Sequence, residues 1–258
     1  MMGDAKQKCR RVWIVRDTQE FIDVLGSLRT TPEMELKTAD FTTMYTQIPH
    51  DDLISAISES LEDVAKIFMQ RFACSFDEAM DSIAFLPGKD FPQWKLGRNE
   101  GWTLKKIAST CRYIVTSSYS LTGGALRRQS IGIPMGNEAS PPMANLFLYV
   151  KEKRFVNRML AELGEDEVQK RFHGFKYHLR FIDDIIAPTL PQELLLAYGL
   201  QIAVTGEGKE VVFLGVKTTV SQAGVSFRAR DKQAAFSFVW SASLRGIRRY
   251  PSTYVLEL

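Results

Sequence analysis

Two adjacent aspartates, Asp183 and Asp184, stand between two short β-prone runs, Lys176 to Phe181 and Ile185 to Pro188. This order predicts a hairpin with acids at its tip. Neighbouring carboxylates repel, and when partly buried they need a cation to neutralise them. An isolated Asp-Asp pair is usually no more than an acidic turn, so the pair acquires meaning only from what accompanies it.

Asp40 accompanies it. It lies in a β-prone run, Leu36 to Met44, is followed by Phe41-Thr42-Thr43-Met44-Tyr45, and supplies a third carboxylate. Three carboxylates can hold two divalent ions about 4 Å apart. Such a pair activates a hydroxyl and steadies an in-line phosphoryl transfer, so little other machinery is needed. An oxygen-only donor set favours magnesium, with manganese as a substitute.

The rest of the chain sorts into alternating elements. After Pro49, Leu53, Ile54, Ile57, Leu61, Val64 and Phe68 recur at helical spacing. Ala84 to Gly101, rich in Pro, Gly and aromatics, reads as loop. Leu104, Ile107, Cys111, Ile114 and Val115 mark a second helix, and Gly123-Gly124 a tight hairpin. Ser140-Pro141 suits a helix start, with Ser as cap and Pro in the first turn, and that helix should run through Asn145 to about Met159. Gln192 to Tyr198 is a short helix, while Val211 to Val220 and Val225 to Arg230 look like paired strands. The class is α+β. No repeat, low-complexity tract or linker divides the 258 residues, which suit one large domain.

Charge adds little as a total: 33 Lys and Arg against 30 Asp and Glu, a net +3 and a pI near 8.7. Its distribution says more. Lys217, Arg228, Arg230, Lys232, Arg245, Arg248 and Arg249 face the single acid Asp231 between positions 217 and 249, and Lys6, Lys8, Arg10 and Arg11 open the chain. Cys9, Cys74 and Cys111 are odd in number and widely spaced, which supports neither a disulfide framework nor a Cys-x-x-Cys zinc site and fits a reducing, intracellular setting. His50, His173 and His178 show no metal-ligand spacing. The longest nearly charge-free apolar stretch, Met143 to Val150, is too short to span a bilayer, and no membrane association is expected.

Three segments carry a family resemblance. Asp40-Phe41-Thr42-Thr43-Met44-Tyr45-Thr46-Gln47-Ile48-Pro49 resembles the first palm motif of reverse transcriptases. Gly132-Ile133-Pro134-Met135-Gly136-Asn137-Glu138-Ala139-Ser140-Pro141, with Asn145 beyond, resembles the second, and Arg180-Phe181-Ile182-Asp183-Asp184-Ile185 the third. The Met-Tyr-Thr-x-Ile-Pro and Gly-x-Pro-Met-Gly runs are most similar to Penelope-like elements, a lineage related to telomerase. Phe213-Leu214-Gly215-Val216 and Val225 to Lys232 resemble the part of that family leading into the thumb. The likeness covers about Val12 to Trp240 and is sharp only in the three motifs.

The resemblance implies an RNA-directed DNA polymerase that uses an RNA template, a DNA primer and deoxynucleotides. Its fold would be a polymerase palm, an antiparallel sheet backed by helices. Residual fingers would lie in 1–35, the palm in 36–220 and a basic palm-to-thumb transition in 221–258. With fingers and thumb so reduced, a partner chain could supply them, and Arg10, Arg11 and Arg16 could stand in for part of the triphosphate clamp.

Residue roles follow by the same route. Asp40, Asp183 and Asp184 would hold the metals together with the Phe41 carbonyl. Tyr45 would crowd the sugar 2′ position, the alternative being a core aromatic. Met135, where many relatives carry Gln, and Gly136 would lie under the incoming nucleotide. Lys209 would protonate the leaving pyrophosphate or be an exposed loop lysine. Ser140 and Pro141 would help position the template, Arg180 would lie near primer or acids, and Arg228, Arg230 and Lys232 would grip the duplex through its phosphates. Two other readings compete. A domesticated palm acting as an RNA-binding scaffold would usually have lost its acids, and a viral-type RNA-dependent RNA polymerase would usually show Gly-Asp-Asp and an acid at position 45.

Overall fold

The computed structural model describes residues 13–86, 93–97, 101–171 and 177–230. The N-terminal basic cluster, Cys9, His173, Lys232 and the arginines at 245, 248 and 249 lie outside the described residues. What is described mixes helices with antiparallel sheet, as an α+β chain should.

Helix α1 (Thr18–Gly26) starts where the Asp17 carboxylate accepts the Glu20 N–H at 2.8 Å. Strand β1 (Leu36–Phe41) follows, then a single turn, α2 (Met44–Gln47), and the long α3 (His50–Phe72). Pro49 precedes α3 and Asp51 and Asp52 sit in its first turn, where they complement the helix dipole. Helix α4 (Phe76–Asp81) carries a full capping box between Ser75 and Glu78. The short strands β2 (Ile83–Leu86), β3 (Gln93–Leu96) and β4 (Trp102–Thr103) form a small sheet in the order β3-β2-β4, and α5 (Leu104–Thr116) is capped by the Thr103 hydroxyl.

The hairpin β5 (Tyr119–Thr122) and β6 (Ala125–Arg128) turns on Gly123-Gly124. Helices α6 (Ser140–Leu163) and α7 (Glu165–Arg171) lead to β7 (Leu179–Phe181), β8 (Asp184–Ala187), α8 (Gln192–Tyr198) and β9 (Ile202–Gly208). A meander of β10 (Glu210–Phe213), β11 (Val216–Ser221) and β12 (Gly224–Ala229) closes the described chain.

The principal sheet has the order β7-β8-β1-β9, with β1 antiparallel to both β8 and β9. It separates two cores. Ala39, Phe41 and Ile185 belong to the cluster that includes Leu53, Ile57, Phe147 and Phe155 of α3 and α6. Leu36, Leu179 and Ile186 belong to a second cluster with Phe21 and Leu25 of α1 and Val211, Phe213 and Val220 of the meander. Period-two alternation thus gives β1 and β8 one face toward α3 and α6 and one toward α1 and the second sheet.

Several expectations are corrected. The strand predicted to reach Met44 stops at Phe41, because Thr42 and Thr43 turn into α2. The segment read as loop, Ala84 to Gly101, contains strand residues: Phe85 pairs with Trp94 and Trp102, and its ring packs on Trp94 at 5.3 Å. Ser140 is not the cap of α6 but its first helical residue, and its hydroxyl donates to the Pro134 carbonyl at 2.6 Å. The run Val211 to Val220 breaks at Leu214-Gly215, where φ is +48° and +77°. Strand β9 and helices α1, α4 and α7 were not anticipated.

Candidate acidic site

Register brings the acids together. On the β1–β8 ladder Asp40 stands directly opposite Asp184, after the pairs Thr38↔Ile186 and Ala39↔Ile185. Opposed residues of an antiparallel pair share a face. Both acids therefore lie on the face of Leu36, Thr38 and Ile186, away from α3 and α6, at the end of the sheet where β1 turns off. Asp183 occupies the β7–β8 turn, and its carbonyl accepts the Phe41 N–H at 3.3 Å.

The electrostatics register this crowding. Partial burial and then the Asp183 charge push the Asp40 carboxyl above its ordinary value. Burial, Asp183 and Asp40, in that order, do the same to Asp184. The Tyr45 phenol, half-buried on α2, is also raised, by burial and then by Asp183, which places it in the field of the acids.

A buried network holds the turn from beneath. Arg180 is completely buried. Its Nε donates to Glu152 Oε1 at 2.6 Å, and its Nη1 to Asn145 Oδ1 at 2.6 Å and to the Ile182 carbonyl at 2.9 Å. Tyr198 donates its hydroxyl to Glu152 Oε1 at 3.0 Å and presents its ring edge-on to Phe41, centroids 5.0 Å apart. Burial and the Glu152 charge raise the Tyr198 phenol well above its ordinary value, so it stays a donor. Ile182, between Arg180 and Asp183, has φ +55°, a left-handed conformation that is uncommon for a β-branched residue and costs on the order of 1–3 kcal/mol. The guanidinium bond to its carbonyl helps to hold it there.

The Gly132–Ala139 loop is tied to the Tyr45 segment. Ile133 N–H donates to the Tyr45 carbonyl at 2.6 Å and Gly132 N–H to the Ile48 carbonyl at 2.8 Å, and His50 Nε2 lies 2.9 Å from the Gly132 carbonyl. A Cβ on Gly132 would stand 2.4 Å from the Tyr45 carbonyl oxygen. Beyond this lock Met135 is 73% exposed, and Gly136 has φ +88° with open space around it.

The other residues singled out in the sequence scatter. Arg180 and Ser140 are buried and have no surface to offer a nucleic acid, and Pro141 is half-buried. Phe41 is buried against Tyr198. Lys209 follows Gly208, which pairs with Leu36 at the opposite end of β1 from Asp40. Four residues of strand span about 13 Å, so this lysine does not reach the acids. Arg228 and Arg230 are exposed on the meander, a different sheet from the one bearing the acids, and Arg228 lies opposite Lys217. Arg16 is engaged by Glu20 at 3.0 Å. Glu152 and Tyr198 were missed. Glu152 had a signal, being a charge spaced four, three and seven residues from Leu148, Phe155 and Met159 on the core face of α6.

The oxygens that could hold a cation are those of Asp40, Asp183 and Asp184. Among the described residues no three His, Cys, Asp or Glu side chains stand together as a group that could hold a metal ion. The donor set nevertheless fits a hard divalent cation, being all oxygen and short of counter-charge. Among the described residues no helix is long and apolar enough to cross a membrane.

No protein-family model matches the chain, and no curated protein matches it. Solved structures of telomerase, a reverse transcriptase, do. Telomerase from Candida albicans in complex with a TWJ fragment of telomeric RNA is similar over 88% of this chain and 37% of its own, with 12% identity and a TM-score of 0.53. Telomerase from Candida tropicalis in complex with a TWJ fragment covers 91% of this chain and 36% of its own, at 16% identity and TM-score 0.49. The apo enzyme from the same yeast, truncated from its C-terminal domain, covers 83% and 40%, at 16% identity and TM-score 0.47. The chain spans well under half the length of these proteins. At 12% identity the Candida albicans match speaks to the fold alone.

Proposed function

We propose that this chain is a reverse-transcriptase palm that extends a DNA primer on an RNA template by a two-metal-ion reaction. The observation that carries this reading is the pairing of Asp40 with Asp184 across β1 and β8, with Asp183 on the adjoining turn. The partial fold likeness to Candida albicans telomerase supports it, as do the three sequence motifs.

In this reading Asp40, Asp183, Asp184 and the Phe41 carbonyl would hold two magnesium ions, with manganese as substitute. Bound there, the ions would lower the pKa of the primer 3′-hydroxyl and offset charge on the phosphates. The chain's own residues do the rest. The Arg180–Glu152 network fixes the turn that aims Asp183 and Asp184. Tyr45, held by the Ile133 N–H at its carbonyl, stands beside the acids where it would crowd a ribose 2′-hydroxyl. Met135 and Gly136, exposed on the loop tied to Tyr45, offer a thioether and an unobstructed backbone to a base and sugar. Lys209 has no part in this scheme, and the basic meander with Arg228 and Arg230 would bear on phosphates of the duplex. The Penelope-like affinity of the motifs belongs to the same proposal.

A second reading, an RNA-binding scaffold without catalysis, draws on the open arrangement of the acids. One assay separates the two. The purified chain is given a DNA primer annealed to an RNA template, deoxynucleotides and Mg²⁺. Primer extension that Asp183→Asn abolishes supports the enzyme, whereas template binding that is independent of metal, with no extension, supports the scaffold.

A further inference from the structure

Positive and negative residues nearly balance in this chain, yet the segment from Gly101 to Asn137 holds Lys105, Lys106, Arg112, Arg127 and Arg128 and not one Asp or Glu. The fold concentrates this imbalance at one place. Helix α5 presents Lys106, Arg112 and Tyr113 to solvent, Tyr113 at 69% exposure. Its end is fastened to the β5–β6 hairpin by Arg128 Nε donating to the Thr116 carbonyl at 2.8 Å and Gln129 N–H donating to the Ser118 carbonyl at 2.9 Å.

Among the described residues nothing covers the apolar side chains of this hairpin. Tyr119, Leu121 and Leu126 are exposed by 59, 74 and 71%, and Arg127 and Arg128 are exposed too. Register gives the pairs Tyr119↔Arg128 and Leu121↔Leu126, so these four share one face, with Arg127 and Ser120 on the other. A two-stranded ribbon with aromatic and apolar side chains in the open is marginal by itself, which points to a partner. Among the described residues Lys105 alone of these cations meets an acid, Asp81 at 2.9 Å, and the other four set a positive sign. Three residues past Arg128, Ile131 bridges to Pro49, and the next two lock onto Ile48 and Tyr45, so the hairpin is joined to the segment that carries Tyr45.

We infer that α5 and the β5–β6 hairpin form a landing surface for unpaired RNA, which takes phosphates on Arg112 and Arg128 and a base on Tyr119, the residue opposite Arg128 on the ribbon. Stacking requires bases free of a duplex, and arginines meet phosphates without regard to sequence. None of the arginines and lysines assigned to nucleic acid from the sequence lies here. The choice of RNA rests on the function proposed above; the surface itself does not require catalysis.

The test is a titration of the full chain with a labelled single-stranded RNA of about twenty nucleotides and with its duplex, in chelator and without nucleotides, over a range of salt. Its outcome is therefore readable whether or not primers are extended. The Arg112→Ala/Arg128→Gln double variant should bind the single strand at least ~10-fold more weakly and lower the salt slope of log K by about 1.4, roughly 0.7 per lost phosphate contact. Tyr119→Ala should cost about tenfold on the single strand, leaving slope and duplex binding unchanged. Melting temperatures equal to wild type would show that both variants fold. Unchanged affinity and slope in both variants overturns the inference. So does a solution mass showing a dimer that Leu121→Ser/Leu126→Ser dissolves, since the face would then belong to a second copy.

Discussion

Arg180 is the residue whose role the structure changes most. A cation three positions before an acid pair invites assignment to a nucleic acid, yet its side chain ends on Glu152, Asn145 and the Ile182 carbonyl. Removing one partner of a buried ion pair strands the other at a cost of about 3–5 kcal/mol. Arg180→Met should therefore lower the melting temperature by roughly 10 °C. The Arg180→Met/Glu152→Met double variant should regain part of that loss, because a buried pair replaced by apolar side chains is near neutral while the Tyr198 hydroxyl loses its acceptor. It should not regain primer extension, since the strained turn at Ile182 still lacks its donor. Recovery of extension along with stability would show that the arginine serves the fold alone. His178, two residues before it, is fully buried against Trp13 with no hydrogen-bond partner on either ring nitrogen among the described residues, and burial, then Arg180, lowers its pKa to about 3. The unfolded chain takes up a proton near pH 6.5 that the folded one refuses. The unfolded state thus binds more protons between pH 6.5 and about 3, and stability falls as pH falls through that window, by up to ~1.4 kcal/mol per unit. His178→Phe should flatten denaturant-measured stability over that interval; an unaltered slope would place the sensitivity elsewhere.

Elements differed in how far the sequence exposed them. Helices α3, α5 and α8 were legible because each lays one apolar stripe on the core at regular spacing, and α8 was placed to the residue between Pro191 and Gly199. The acid hairpin was legible because β-prone runs flank it. Strand β9 was not: it buries no residue fully, and includes two glycines, so its membership in the sheet comes from pairing with β1 and leaves no alternation to read. The first two strands of the meander, β10 and β11, were read as one because the turn between them is made by Leu214, an apolar residue in a left-handed conformation. Ser140 looked like a cap since Ser before Pro usually is one, but its hydroxyl is used by Pro134. The tie between the Gly132–Ala139 loop and α2 was invisible in sequence, being made by backbone groups, and it yields a contrast between two glycines of one motif. Gly132→Ala would drive a methyl into the Tyr45 carbonyl and break the lock, so both melting temperature and extension should drop sharply. Gly136→Ala meets only the ~1 kcal/mol of a left-handed φ and should lose little stability. Equal melting temperatures for the two variants would mean that the loop is not clamped to the Tyr45 segment.

At the scale of the molecule, the acids sit on a sheet that is held from both sides, by α3 and α6 beneath and by α1 and the meander above. Backbone positions of Asp40 and Asp184 are thereby fixed, and only their side chains remain to close on a ligand. Burial first, and then the neighbouring acid charges, raise both carboxyls, a standing cost to the native state which the unfolded chain does not bear. A cation that enters this site relieves it and binds the folded chain in preference to the unfolded one. Mg²⁺ at one hundred times its dissociation constant should then add about 2.7 kcal/mol to stability, a rise of roughly 5–10 °C in melting temperature for a chain of this size. Asp40→Asn, with one ligand gone and the repulsion relaxed, should melt higher than wild type in chelator and gain far less from Mg²⁺. The crossing of those two melting curves is the signature of a site made by register, and it needs neither template nor nucleotide to be seen. A wild-type chain that melts at one temperature in Mg²⁺ and in chelator would mean that the paired acids hold no ion, and would leave the RNA-binding scaffold as the surviving account of this fold.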